Sequence, residues 1–124
     1  WDNTIVLKGA YTIIASFDGR TRICPSANPA LASSGTGDVL GGVIAGLLAQ
    51  GMGFFDASSL GVYLHAMAGE LLREQFGDSG IIAGDLPLAI PHVMKRFRAG
   101  LVSRVEPVTS STYTSLWRSG GALS

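Results

Sequence analysis

Residues 28–42 run Asn28-Pro29-Ala30-Leu31-Ala32-Ser33-Ser34-Gly35-Thr36-Gly37-Asp38-Val39-Leu40-Gly41-Gly42. No other stretch limits so strongly what the chain can become. A loop of small residues with two glycines ends in one acid, and an apolar run with helical spacing follows at once. That order places unpaired backbone N–H groups and a helix N-terminus beside a carboxylate. The N–H groups and the helix dipole attract an anion such as a phosphate. Gly35 and Gly37, lacking side chains, let the backbone approach that anion closely. The carboxylate of Asp38 repels a bound phosphate unless it has a task, such as taking a proton from an acceptor hydroxyl. The loop is not a P-loop, because Asp38 stands where that motif has its Lys-Ser/Thr pair. Nor does it carry the three-glycine dinucleotide fingerprint after a strand. On the residues alone two readings of Asp38 stand together: a cap on the helix it begins, or a catalytic base.

The rest of the chain predicts an α/β domain. Residues 4–8 are apolar and β-branched before Gly9 and read as a buried strand. Residues 11–17 and 20–24 form a hairpin across Asp18-Gly19. After the loop of residues 25–37, a helix is expected over residues 38–50, with Val39, Val43, Leu47 and Leu40, Ile44, Leu48 as adjacent apolar rows. Gly41, Gly42 and Gly46 each weaken such a helix by roughly 1 kcal/mol, which predicts close packing of this helix on a sheet. Gly51 or Gly53 stops it. Asp56 reads as the N-cap of a second helix ending at Phe76 before Gly77. Asp85 reads as the cap of a third helix over residues 86–98, with Pro87 in its first turn and a kink at Pro91. Lys95, Arg96 and Arg98 suit its negative end. Residues 1–100 are thus expected to form the domain. Residues 101–124, polar and rich in hydroxyls, read as a flexible tail.

Composition narrows the function classes. Nine basic residues balance nine acidic ones, so there is no field for non-specific binding to nucleic acid or anionic membrane. The apolar run from Val39 is too short and too rich in glycine to span a bilayer. Cys24 is the single cysteine, which leaves no intrachain disulfide and no cysteine-built metal site and fits a reducing, cytoplasmic setting. It reads as a small buried hydrophobe. His65 reads as a core histidine, and with His92 it does not make a metal site. No metal site is expected in the chain itself, since no acidic pair forms a Mg2+ cage. Asn28 either binds a phosphate or base, or merely turns the chain before Pro29. Lys8 on its own reads as an exposed strand-end lysine.

The ordered blocks carry a further signal. Val6-Leu7-Lys8-Gly9-Ala10-Tyr11-Thr12, the hairpin at Asp18-Gly19, Asn28-Pro29 with Gly35-Thr36-Gly37-Asp38-Val39-Leu40-Gly41-Gly42, and residues 44–51 come first. Gly61-Val62-Tyr63-Leu64-His65 with Ala68-Gly69, and residues 80–86, follow. Together they resemble the ADP-dependent NAD(P)H-hydrate dehydratases of the ribokinase-like superfamily. The resemblance implies the C-terminal part of a three-layer α/β/α sandwich, with a β-hairpin followed by three helices. It implies dehydration of hydrated NADH or NADPH, a repair of nicotinamide cofactors, driven by ADP or ATP with Mg2+ accompanying the nucleotide. Asp38 is implied to meet the hydrated cofactor and act as the catalytic base. Lys8, Gly9, Ala10, Tyr11, Thr12 and Gly37 are implied nucleotide contacts, with Asn28, Gly35 and Thr36 beside them. A family domain is about twice this long, so a portion before Trp1 is expected to be missing. Its absence would bare an edge of a parallel sheet and favour association with that portion or with a second copy. The alternatives are a ribokinase-like kinase for a small alcohol such as a vitamin precursor, and a truncated, non-catalytic nucleotide-binding remnant.

Overall fold

The computed structural model describes residues 3–100. The tail expected over residues 101–124 lies outside the described residues. Three strands, β1 (Thr4–Leu7), β2 (Thr12–Ser16) and β3 (Thr21–Cys24), form a meander in the order β1-β2-β3. Both pairings are antiparallel, with Val6 opposite Ile14 and Ile13 opposite Ile23. The parallel edge anticipated from the resemblance is therefore not made by these strands. Asp18-Gly19 does turn the chain, but within a three-residue loop. Gly19 N donates to Ser16 O at 3.0 Å, Ser16 N donates to Arg20 O at 2.8 Å, and Gly19 has φ 89°. This is a turn closed by a left-handed glycine, the geometry that matches the strands' twist.

β1 is not the fully buried strand its composition suggests. Ile5 and Leu7 are exposed, whereas Ile14 of β2 is buried. The period of two puts Val6, Ile14 and Cys24 with Phe55, Val62 and Ala66 of the long central helix in one cluster and leaves the opposite face of β1 open among the described residues.

Helix α1 spans Thr36–Ala49, α2 Phe54–Phe76 and α3 Leu86–Arg98. α1 begins two residues before Asp38. Its N-cap is Gly35, with φ 84° and no side-chain cap, so the capping reading of Asp38 is removed. α1 ends at Gly51, which donates to Leu48 O while Met52 donates to Leu47 O, a paired closure that the left-handed glycine permits. α2 likewise starts early, at Gly53, whose carbonyl accepts from Ala57 N at 2.8 Å. Asp56 thus sits inside the first turn instead of capping it, and faces Arg22 at 3.5 Å. Gly77 closes α2 as expected. Asp85 stands at the start of α3, but its carboxylate accepts from Ile82 N at 3.0 Å and so holds the short 3-10 turn Ala83–Asp85. Pro91 lies inside α3 without ending it.

α2 is the hub of the described residues. Buried side chains occur all round it, from Phe55 to Leu72, because the sheet covers one side and α1 and α3 cover others. Its glycines are packing positions. A Cβ at Gly61 would lie 2.6 Å from Ile44 Cγ1, and one at Gly69 would lie 2.8 Å from Leu31 Cδ2. The close packing predicted for α1 is not made at its glycines by the described residues. A Cβ at Gly41, Gly42 or Gly46 would meet nothing within 4 Å among the described residues.

Candidate functional site

The site forms where the end of β1, the loop of residues 25–35, and the start of α1 meet the middle of α2. A hollow of about 490 Å³ opens there, lined by Lys8, Gly9, Ala10, Thr12 and Asn28 and floored by apolar groups such as Leu40, Val62 and Ala66. Five of the residues singled out from the sequence thus share one wall. Tyr11 is exposed and does not line the hollow, and neither do Gly35, Thr36, Gly37 and Asp38. They lie next to it, tied in through Lys8. Its Nζ donates to Leu31 O at 2.9 Å and to Thr36 Oγ1 at 3.3 Å. A lysine held this way is a fixed point charge near the helix N-terminus.

Thr36 is 1% exposed. Its hydroxyl donates within the loop, to Leu31 O (2.7 Å) or Ser33 O (2.9 Å). Those bonds, and the Ser33 Oγ bond to Ile81 O at 3.3 Å, hold the loop in shape. A Cβ at Gly35 would lie 3.1 Å from Ala83 Cβ, so the turn is pressed against the 3-10 segment and its positive φ admits little but glycine. The N–H groups of Gly35 and Gly37 have no hydrogen-bond partner among the described residues. Asp38 follows immediately, exposed and without a capping bond. Two unpaired donors at a helix N-terminus beside an open carboxylate can hold an anion and accept a proton from a neighbouring hydroxyl.

Asn28 does more than turn the chain. Its Oδ1 accepts from Ala30 N at 2.9 Å, capping the 3-10 turn Pro29–Ala32, while its buried Nδ2 has no partner. Ser26 Oγ is also buried without a partner. Ser26 carries no sequence signal that would single it out. Cys24 is buried, and burial pushes its thiol up from the ordinary range, which keeps it protonated and unreactive. His65 is buried as expected of a core histidine, yet its Nε2 lies 2.8 Å from Thr36 O. Burial pushes the imidazole below its ordinary pKa, the bond to Thr36 opposes that, and the Lys8 charge adds to the lowering. Because the partner is a backbone carbonyl 29 residues away, nothing in the sequence marks this contact.

The chain has known relatives. The family described as NAD(P)H-hydrate dehydratase matches residues 1–92. The chain belongs to that family. It is 44% identical over 84 residues to the ADP-dependent (S)-NAD(P)H-hydrate dehydratase of Neisseria meningitidis, covering 67% of this chain and 28% of that protein. It is 45% identical over 95 residues to the bifunctional NAD(P)H-hydrate repair enzyme Nnr of Moorella thermoacetica, covering 77% of this chain and 18% of that one. Among solved structures, the ADP/ATP-dependent NAD(P)H-hydrate dehydratase of Bacillus subtilis, co-crystallised with ATP and Mg2+, superposes with a TM-score of 0.73 at 40% identity. That match covers 77% of this chain and 34% of the Bacillus protein. The NAD(P)H-hydrate dehydratase resemblance and the α/β fold it implied are thereby established. The chain spans between about a fifth and a third of the length of these relatives.

Proposed function

We propose that these residues supply the nucleotide- and phosphoryl-handling part of an enzyme that dehydrates hydrated NADH and NADPH at the expense of ADP or ATP. The nucleotide lies along Lys8, Gly9, Ala10, Tyr11 and Thr12, with Asn28 behind it. Lys8 holds a phosphate oxygen by charge. Gly35, Thr36 and Gly37 shape the nest that receives the transferred phosphoryl group, and the unpaired N–H groups of Gly35 and Gly37 offset its developing charge. Asp38 takes the proton of the hydroxyl added to the nicotinamide ring, and that oxygen attacks the terminal phosphorus. The shortened nucleotide leaves. The ring carbon–oxygen bond then breaks, phosphate departs, and loss of a ring proton restores the double bond. Mg2+ would arrive with the nucleotide and would screen its phosphate charges. The functional unit is residues 1–100 together with the hydrate-binding portion that the longer relatives carry, in a cytoplasmic setting.

One observation carries this reading: an exposed carboxylate, freed of any capping role, directly follows an unpaired glycine N–H at a helix start that Lys8 reaches through Thr36. The test uses the full-length protein that contains these residues. Hydrated NADH and ADP are mixed with it, and recovery of the reduced nicotinamide absorbance is followed. Recovery is expected, and Asp38→Asn should lower kcat by about 10²- to 10⁴-fold. A folded protein that restores no absorbance, or an Asp38→Asn variant with full activity, overturns the proposal. Phosphorylation of a stable alcohol without dehydration would instead assign the same loop to a small-molecule kinase.

A further inference from the structure

Two segments distant in sequence, and the loop just before it, converge on Thr36, the first residue of α1. Lys8 reaches its hydroxyl from the end of β1, and Leu31 O and Ser33 O accept that hydroxyl from the loop. The third partner is His65, from the middle of α2, with Nε2 2.8 Å from Thr36 O. A carbonyl can only accept, so this nitrogen carries the proton.

The first turn of α1 needs such support. Its N-cap is a glycine with no side chain to satisfy the orphan N–H groups, and its second residue, Gly37, is also a glycine. Local energies therefore hold this turn weakly. His65, by contrast, is 3% exposed, between the buried Leu64 and Ala66 of α2, so its ring is held by packing.

We infer that His65 is a positioning residue for the phosphoryl-transfer site. By donating to the Thr36 carbonyl, it fixes the first turn of α1 and with it the Gly37 N–H and the Asp38 carboxylate relative to Lys8. This rests on the function proposed above. The imidazole also lines the hollow, but this role needs no contact between it and nucleotide or hydrate. It acts through one backbone atom, and misplacing that turn by about 1 Å is enough to lower the rate by about a hundredfold.

Three variants of the full-length protein test it. Gln can place an amide N–H near the position of Nε2, Asn stops short of it, and Leu removes the donor while keeping the bulk. His65→Leu and His65→Asn should lower kcat by about tenfold to a hundredfold with the ADP KM changed by less than about threefold. His65→Gln should return kcat to within about threefold of the parent. Imidazole ¹⁵N spectra should show the Nε2–H tautomer at neutral pH. If His65→Leu does not fold, the contrast between Gln and Asn decides. Equal kcat in those two variants, a loss that only tracks the folded fraction, or an Nδ1–H tautomer overturns the inference. If the parent binds ADP but dehydrates nothing, the proposed function fails by itself. The positioning role is then read from the Gly37 amide resonance in the ADP complex, which His65→Asn should displace and His65→Gln restore; no displacement overturns it.

Discussion

The two glycine-rich helices of this chain use the same residue for opposite ends. In α2, Gly61 and Gly69 exist because something occupies the space a side chain would need: Ile44 in one case, Leu31 and Asn28 in the other. In α1, Gly41, Gly42 and Gly46 face open space among the described residues. Both helices read alike in sequence, as apolar runs interrupted by glycine. The difference lies in what surrounds them. α2 is enclosed by the sheet and the other two helices, while α1 packs Leu40 and Leu47 inward and leaves its small residues on the outside. Asp38 lies on that same helix, so its carboxylate is accessible, whereas His65 on α2 is buried and acts inside the protein. A glycine content that costs helix stability is thus explained by packing in α2 only.

The contrast can be broken at several points. The largest expected effect is functional and lies on α1. Asp38→Asn, an exposed change, should cut kcat by about 10²-fold or more while leaving the melting temperature of the full-length protein within about a degree, since surface substitutions move stability by under about 0.5 kcal/mol. A large thermal loss would mean that Asp38 supports the fold. Next, Gly61→Ala and Gly69→Ala should each destabilise by about 1–3 kcal/mol through overpacking, measured by denaturant unfolding. Gly69→Ala should also weaken ADP binding, because its Cβ would lie 3.1 Å from Asn28 Nδ2, on the wall of the hollow.

The buried histidine gives a pH dependence of intermediate size. His65 has a folded-state pKa held below its ordinary value, chiefly by burial. As pH falls below about 6.5 the unfolded chain takes up the proton first, so the native state loses stability. The slope is at most about 1.4 kcal/mol per pH unit, until the native imidazole also protonates. Denaturation midpoints between pH 7 and 5 should therefore fall more steeply for the parent than for His65→Gln; parallel curves would refute this. The smallest effect is expected on the outer face of α1. Gly42→Ala should stabilise by about 0.5–1 kcal/mol through helix propensity. A loss of stability in the full-length protein would show that another segment covers this face, and the contrast between the two helices would narrow.

Local signals were legible where the deciding interaction spans a few residues. Asp18-Gly19 marks the hairpin because Gly19 takes the positive φ that its turn demands. Gly51 and Gly77 mark helix ends for the same reason. The wall formed by Lys8, Gly9, Ala10, Thr12 and Asn28 was legible through the ordered family blocks. Capping was misread at Asp56, because α2 begins on the Gly53 carbonyl, and a carboxylate in a first turn looks the same in sequence whether it caps or not. The burial of β1 was misread because Ile5 and Leu7 have the composition of a covered strand, and whether a second layer covers them is not encoded in the strand.

By itself the sequence determined the hairpin, the glycine stops of α1 and α2 and the glycine–aspartate loop, since each follows from backbone preferences over neighbouring residues, and its ordered family blocks carried the α/β class. Only the tertiary structure decided that Asp38 is no cap, that the tight glycines belong to α2, and that Lys8 and His65 converge on Thr36 from 28 and 29 residues away. Those contacts depend on how whole elements pack, and a backbone carbonyl acting as a partner leaves no residue type behind to read.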